Sequence, residues 1–270
     1  MKELIHSIVS QLQSTYPADE AEALAWWIAE ETTGLSRAQI LTGCKITKNF
    51  AYVQEIVDRL LHFEPIQYIF GHTLWCGLDL KVTPATLIPR PETAELVNKV
   101  ESFKLKVKGA KVLDIGTGSG CIAIALKKQH PEWQVTGIDI SAEAIEVAKK
   151  NAIRNNAEVE FKIADIFDFN GTFDIVVSNP PYIRESEKVS MRPNVLNYEP
   201  ASALFVPDDN PLLFYRRIAQ QHLGKELFFE INEAFPAELS AMLDELGYTD
   251  IQIFHDIYGK PRIIEARSAH

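Results

Sequence analysis

Apolar residues near the start of the chain recur at helical spacing: Leu4, Ile5, Ile8, Val9 and Leu12, then Leu24, Trp27 and Ile28, then Ile56, Val57, Leu60 and Leu61. Recurrence every three or four positions puts these side chains on one stripe of a helix. Gly34 stands where a helix would stop, Ser36 and Thr47 where N-caps would start one, and Pro65 where the long last segment would end. The pattern predicts a small all-α domain over residues 1–73. Trp26 and Trp27 are read as core residues of an amphipathic helix rather than a ligand-stacking pair.

In LWCGLDLKVT, residues 74–83, Leu78, Leu80 and Val82 alternate with Asp79 and Lys81, the period of a half-buried strand. Residues 74–90 are expected to form a β-hairpin linker. In TLIPRPETAELVNKV, Pro91 is placed in the first turn of a helix with Leu96, Val97 and Val100 on its apolar face. From residue 110 strands and helices alternate: KVLDIG, a helix to about His130, QVTGIDI, a helix to about Asn156, VEFKIAD, FDIVVSN, a helix near 211–223, ELFFEI, a helix near 236–246, and two closing strands joined through HDIYGKP. Such alternation predicts an α/β domain over residues 91–270, a mostly parallel sheet covered on both faces and closed by an antiparallel C-terminal hairpin.

Composition narrows the function classes. With 46% hydrophobic and 24% charged residues in a 270-residue chain, the protein is an ordinary globular one. The start, MKELIHSIVSQLQSTYPADE, has no apolar run long enough for a signal peptide or a spanning helix, so a cytoplasmic protein with no membrane partner is expected. Cys44, Cys76 and Cys121 are far apart and in no CxxC arrangement; all three are read as reduced packing residues. The seven histidines include no HxxxH or HExxH pair, so no protein-held metal is expected. A formal charge of −10 argues against broad binding to phosphate backbones, and no direct DNA binding is expected.

Asp114-Ile115-Gly116-Thr117-Gly118-Ser119-Gly120 lies between a predicted strand and a predicted helix. Glycines there let the backbone turn tightly and let a ligand come close, and the helix N-terminus offers amide donors. Asp139 ends the next strand, 23 residues beyond Gly116, where nucleotide-binding α/β folds put an acid against ribose hydroxyls. A nicotinamide dehydrogenase competes at this point, but its fingerprint is GxGxxG, whereas this loop reads GxGxG with Cys121 following.

Asn179-Pro180-Pro181-Tyr182 ends a later strand at its carboxyl edge. An amide nitrogen is a poor nucleophile because its lone pair is delocalised, as the peptide rotation barrier of about 18–20 kcal/mol shows. Two acceptors, the Asn179 side-chain oxygen and the Pro180 carbonyl, would hold both N–H groups of a planar amide, and Tyr182 would stack on it.

The DIGTGSG run resembles motif I of class I S-adenosylmethionine methyltransferases, which implies that Asp165 and Ile166 flank an adenine, Asp165 accepting from its amino group and Ile166 covering the ring. Together, PIQYIFGHTLWCGLDLKVTPATLIPRPETAELV, DIGTGSG, GIDIS and VVSNPPYI resemble the bacterial PrmC/HemK family of release factor glutamine N5-methyltransferases over nearly the full length. The resemblance implies a seven-stranded class I (Rossmann-like) methyltransferase sheet, a helical substrate-recognition domain, and transfer of methyl from S-adenosyl-L-methionine to the glutamine of the GGQ loop in class 1 peptide chain release factors, releasing S-adenosyl-L-homocysteine. It implies cofactor binding by Gly116, Thr117, Gly118, Ser119, Gly120, Asp139, Ile166 and Asn179, and substrate binding by Asn179, Pro180, Pro181 and Tyr182. The Leu87–Glu92 segment also matches, giving Arg90 a place at the pocket, although a helix start explains that segment nearly as well.

Three departures stand out: Ile166 where many relatives carry Trp, Val206-Pro207 in place of a glycine-rich pair, and Glu230-Ile231-Asn232-Glu233 without the Gly and Gln that often follow this strand. A ribosomal protein glutamine methyltransferase is the nearest alternative. A DNA adenine-N6 methyltransferase, which shares NPPY, and a non-enzymatic release factor partner follow. A monomer is the default for so brief an enzyme–substrate contact.

Overall fold

The computed structural model describes residues 2–42, 50–102 and 109–269. Cys44 and the N-cap expected at Thr47 lie outside the described residues. The chain forms two units, Met1–Gly71 with Arg192–Tyr198, and His72–Met191 with Glu199–His270.

The first unit is helical: α1 (Lys2–Leu12), α2 (Ala18–Thr33), α3 (Arg37–Leu41), α4 (Phe50–Leu61), α5 (Ile66–Phe70) and the returning α9 (Pro193–Tyr198). Its core is the predicted stripe, Ile8, Leu12, Ile28, Ile56, Val57 and Leu60, with Ala21 and Ala25 of α2. Gly34 ends α2 in the left-handed conformation, φ +65°, and its N–H reaches Glu30 O at 2.8 Å. Ser36 starts α3 with a reciprocal cap, Oγ accepting from Gln39 N and Gln39 Oε1 accepting from Ser36 N at 2.9 Å. Pro65 does not end α4. The helix stops at Leu61, where the chain turns through Phe63 at φ +65°, and Pro65 instead leads into α5. Trp26 and Trp27 pack against the core, and Trp26 carries the Arg37 guanidinium 4.2 Å over its ring. The α9 segment belongs here through Tyr198, whose hydroxyl donates to His62 O at 2.9 Å, and through Arg192, paired with Glu20 at 3.0 Å.

The second unit opens with a hairpin, β1 (His72–Trp75) and β2 (Leu78–Lys81). Its turn is Cys76-Gly77, both at positive φ, the two-residue loop whose twist suits an antiparallel pair. Cys76 is therefore exposed at a turn and not a packing residue, while Cys121 is buried as expected. The order continues α6 (Thr93–Ser102), β3 (Lys111–Ile115), α7 (Cys121–Gln129), β4 (Gln134–Asp139), α8 (Ala142–Arg154), β5 (Glu160–Ile163), β6 (Phe173–Ser178), the short parallel pair β7 (Ile183–Arg184) and β8 (Phe205–Val206), α10 (Leu213–Gln220), β9 (Gly224–Glu230), α11 (Pro236–Glu245), β10 (Tyr248–His255) and β11 (Pro261–Ser268). Pro91 lies just ahead of α6 rather than in its first turn, in tight turns closed by Thr93 N to Arg90 O and Ala94 N to Pro91 O.

The seven-stranded sheet runs β10-β11-β9-β6-β3-β4-β5. Strands β9, β6, β3, β4 and β5 are mutually parallel, and β11 enters antiparallel beside β9. Both faces are apolar because successive residues point to opposite sides. Val112, Ile175, Val177 and Phe228 share one cluster with α6, α7 and the hairpin; Leu113, Val176, Leu227 and Phe229 share the other with α10 and α11.

One polar device ties the hairpin to α8. Asn151 Oδ1 accepts from Lys81 N at 2.6 Å, and its Nδ2 donates to Lys81 O at 2.9 Å and Ser119 O at 2.8 Å. One turn on, Asn155 does the same to Asp79, at 3.2 Å and 3.0 Å. The match is geometric: four helical residues rise about 6 Å and two strand residues about 6.6 Å, so the two amides meet alternate residues of β2.

Candidate functional site

Strand β3 lies between β6 and β4, so the connections leaving it and its neighbours diverge at its carboxyl end. Open α/β sheets bind ligands in that crevice. Three predicted segments meet there: the glycine loop after β3, Asp139 at the end of β4, and NPPY after β6.

The loop takes its shape from glycines at positive φ, Gly116 at +69°, Gly118 at +54° and Gly120 at +80°. Gly116 faces open space, since a Cβ there would meet nothing within 4 Å, whereas a Cβ on Gly120 would press on Ala148, Ile124 and Phe161 at 3.1 Å each. Only glycine satisfies both the conformation and the packing at Gly120. The loop is fixed from below by Asp114, fully buried, whose Oδ2 accepts from Thr117 Oγ1 at 2.6 Å and Ala123 N at 3.2 Å. Burial raises the Asp114 carboxyl to about 7 against those two donors. From the side it is fixed by β4, with Thr117 N donating to Ile138 O and Gly118 N donating to Asp139 Oδ2, both at 2.9 Å. Thr117 and Ser119 are themselves buried.

Asp139 accepts one backbone N–H on each oxygen, the second from Ser141 at 2.9 Å. A carboxylate has about four lone-pair positions, so each oxygen keeps one for a hydroxyl donor. Ala164 N donates to Asp139 O, which brings Asp165 and Ile166 beside this edge. Asp165 Oδ1 accepts from Phe167 N at 2.9 Å, and Ile166 is buried in the sheet's second cluster with its carbonyl held by Gln221 at 2.6 Å. The open backbone at Gly116 beside a half-satisfied acid at the neighbouring strand end fits an adenosyl ligand with ribose hydroxyls.

Ser178 Oγ donates to Ile115 O at 2.7 Å, so the end of β6 is bonded to the end of β3. NPPY follows at once. Asn179 Nδ2 donates to Thr93 Oγ1 at 3.3 Å, which leaves Oδ1 with no donor among the described residues. Pro180 is buried and Pro181 half-buried. The Tyr182 hydroxyl donates to Glu230 Oε1 at 3.1 Å and its carbonyl accepts from Asn232 Nδ2 at 3.0 Å, while the residue as a whole is half-buried. Burial, then the Glu230 charge, raises the Tyr182 hydroxyl above its ordinary value, so it remains a donor. Arg90 does not stand alone: its guanidinium pairs with the buried Glu199 at 2.6 Å, and Glu199 Oε2 also accepts from Ile88 N at 3.2 Å.

Three residues bonded to NPPY were not singled out for the site from sequence, Thr93, Glu230 and Asn232. The available signal was an acid closing the apolar strand ELFFEI, which has no ordinary reason to be buried. Among the described residues no group of three or more His, Cys, Asp or Glu could hold a metal ion, and no helix is long and apolar enough to cross a membrane.

The parallel sheet with its antiparallel last pair, the glycine loop and the acid on the next strand together define a class I methyltransferase. Structures of that class agree in fold: the hMettl16 catalytic domain in complex with a 3′UTR hairpin superimposes with a TM-score of 0.58 at 18% identity, covering 90% of this chain and 92% of that one. The PrmC N-terminal domain family matches residues 3–71, and the methyltransferase small domain family matches residues 93–197. A release factor glutamine methyltransferase of Bacteroides thetaiotaomicron is 43% identical, over 98% of this chain and 99% of that protein. One of Flavobacterium psychrophilum is 41% identical, over 95% of each. The chain belongs to the release factor glutamine methyltransferase family.

Proposed function

We propose that this enzyme transfers a methyl group from S-adenosylmethionine to the side-chain amide nitrogen (N5) of the glutamine in the GGQ motif of class 1 peptide chain release factors. The observation that carries the reading is the orientation of Asn179. Its NH2 group is turned to Thr93, to which one N–H donates, so its oxygen is presented as an acceptor at the carboxyl end of β6, beside the glycine loop.

The chain's own residues perform three tasks in this reading. Gly116 through Gly120 give the methyl donor a close backbone approach, and Asp139 accepts from its ribose hydroxyls. Asp165 and Ile166 serve the adenine edge, Ile166 by apolar contact from a buried position. Asn179 Oδ1 and the Pro180 carbonyl accept the two N–H bonds of the target amide, and the Tyr182 ring, with its hydroxyl clamped by Glu230, lies on the amide plane. When bound, S-adenosylmethionine supplies a methyl carbon whose bond to positively charged sulfur breaks, the electron pair leaving with sulfur, as the amide nitrogen bonds that carbon. Holding both N–H groups turns the nitrogen lone pair toward the incoming carbon and stabilises the charge that grows on nitrogen. A nitrogen-protonated amide is a strong acid, so water suffices to take the extra proton.

Residues 1–73 supply recognition of the release factor in this reading, residues 74–90 the link, and residues 91–270 the chemistry. The test is transfer of labelled methyl to purified release factor, run beside a GGQ-to-GGA substrate and an Asn179→Ala enzyme. Loss of one preorganised contact of this kind costs roughly 10²–10³ in rate. Label that disappears in both controls supports the reading; near-wild-type single-turnover transfer by Asn179→Ala overturns it.

A further inference from the structure

Glu230 closes β9 with a side chain 1% exposed. Among the described residues it makes no ion pair within 4.0 Å. Its partners are two hydroxyls, Thr93 Oγ1 donating to Oε2 at 2.7 Å and the Tyr182 hydroxyl donating to Oε1 at 3.1 Å. Burying a carboxyl whose hydrogen-bond partners are all neutral is unfavourable, and such groups in a cleft are candidates for function. Burial raises its pKa, opposed by the Thr93 and Tyr182 hydrogen bonds and the Arg262 charge.

The consequence is directional. Thr93 has one hydroxyl proton. Once that proton is given to Glu230, Thr93 Oγ1 offers only lone pairs to Asn179, which lies 3.3 Å away. Only the NH2 end of the Asn179 amide satisfies them. Turned by 180°, the amide would set its oxygen against the Thr93 oxygen and its NH2 toward the target amide, donor against donor. We propose that Glu230 is a positioning residue which, through Thr93, fixes the orientation of the Asn179 amide and, through the Tyr182 hydroxyl, fixes the stacking ring. The inference rests on the reading of Asn179 Oδ1 as the acceptor for the target amide.

Glu230→Gln keeps the shape and replaces one acceptor oxygen by a donor, so either the Thr93 arm or the Tyr182 arm loses its partner. Thr93→Val keeps the volume and cuts the Thr93 arm at both its Glu230 and its Asn179 ends, leaving the Tyr182 arm in place; Thr93→Ser keeps the hydroxyl and loses a methyl group. Single-turnover transfer and equilibrium binding of S-adenosylmethionine are measured for each variant beside Asn179→Ala. The expected result is a fall in the transfer rate of roughly 10–10²-fold for Glu230→Gln and Thr93→Val, with donor binding within about twofold of wild type and Thr93→Ser within about threefold of the wild-type rate. The double variant should be little slower than the slower single one, because both substitutions interrupt one chain of contacts. A packing role reverses the Thr93 order, Val surviving and Ser failing, and that order would overturn the inference. So would unchanged transfer by both Glu230→Gln and Thr93→Val while Asn179→Ala is inactive, a result that leaves the proposed function standing. Full activity of Asn179→Ala removes the proposed function and this inference with it.

Discussion

Asn151 offers a sharp test of how the hairpin and the glycine loop are held. Its side chain, fully buried, answers three backbone groups: the N–H and C=O of Lys81 and the C=O of Ser119. Asn151→Ala removes the partner and leaves those groups in a space water does not reach. Each unsatisfied buried group costs about 1–3 kcal/mol, and partial relaxation brings the expected total to about 3–5 kcal/mol. Asn155 is the internal control, since it makes the same pair of bonds to Asp79 but is only half-buried. Water replaces its amide, so Asn155→Ala should cost about 1 kcal/mol or less. Urea unfolding of both variants measures the difference as a shift in midpoint at constant slope. Because Ser119 belongs to the loop, Asn151→Ala should also weaken S-adenosylmethionine binding while Asn155→Ala leaves it alone. Equal losses for the two variants, or a loss below about 1 kcal/mol for Asn151→Ala, would refute the reasoning, because burial would then not be what separates them.

Asp114 makes a pH prediction. Its carboxyl is raised in the folded protein to about 7 from 3.8, so between these values the native state binds more protons than the unfolded chain and stability falls as pH rises. The loss of stability, absent below the unfolded value and complete above the folded one, amounts to as much as about 4 kcal/mol. Unfolding of wild type and Asp114→Asn across pH 4.5 to 8 should show this slope in the difference between them; parallel profiles would show that Asp114 is not its source. The Arg90–Glu199 pair predicts an asymmetry: Glu199 is buried and Arg90 partly exposed, so Arg90→Ala strands a buried carboxylate and should cost more, about 3 kcal/mol, than Glu199→Ala, which lets the arginine turn to solvent. Thermal unfolding of both variants checks the order.

The sheet was legible because its strands, covered on both faces, carry near-continuous apolar runs such as VVS in β6 and LFF in β9, and the helical stripes were legible for the complementary reason. The glycine loop and NPPY were legible because their conformations restrict residue choice strongly. What escaped was polar and distant. Thr93 and Glu230 are 137 residues apart, and Asn151 meets Lys81 across 70, separations at which a buried polar residue looks like any solvated one. Local breaks were misplaced by a few residues. Pro65 and Pro91 drew the boundaries toward themselves, whereas α4 had already ended before Phe63 and α6 begins only at Thr93. Nothing in a lone cysteine distinguishes a packing position from the left-handed turn position that Cys76 occupies, φ +49°.

Residues 192–198 pack with the helical unit, although the stretches on either side of them belong to the sheet unit. The chain therefore passes between the two units at three places, after residues 71, 191 and 198. A module that hangs from a single linker can be exchanged between proteins by one recombination event; this one cannot. Cutting after Gly71 would leave Tyr198 without the His62 carbonyl and Arg192 without Glu20, so a clean exchange has to carry the 192–198 insertion along with the amino-terminal helices. Inheritance as a pair is thus written into the connectivity, and sequence change in the inserted segment is expected to track change in the first seventy-one residues more closely than change in the sheet that surrounds it in the chain.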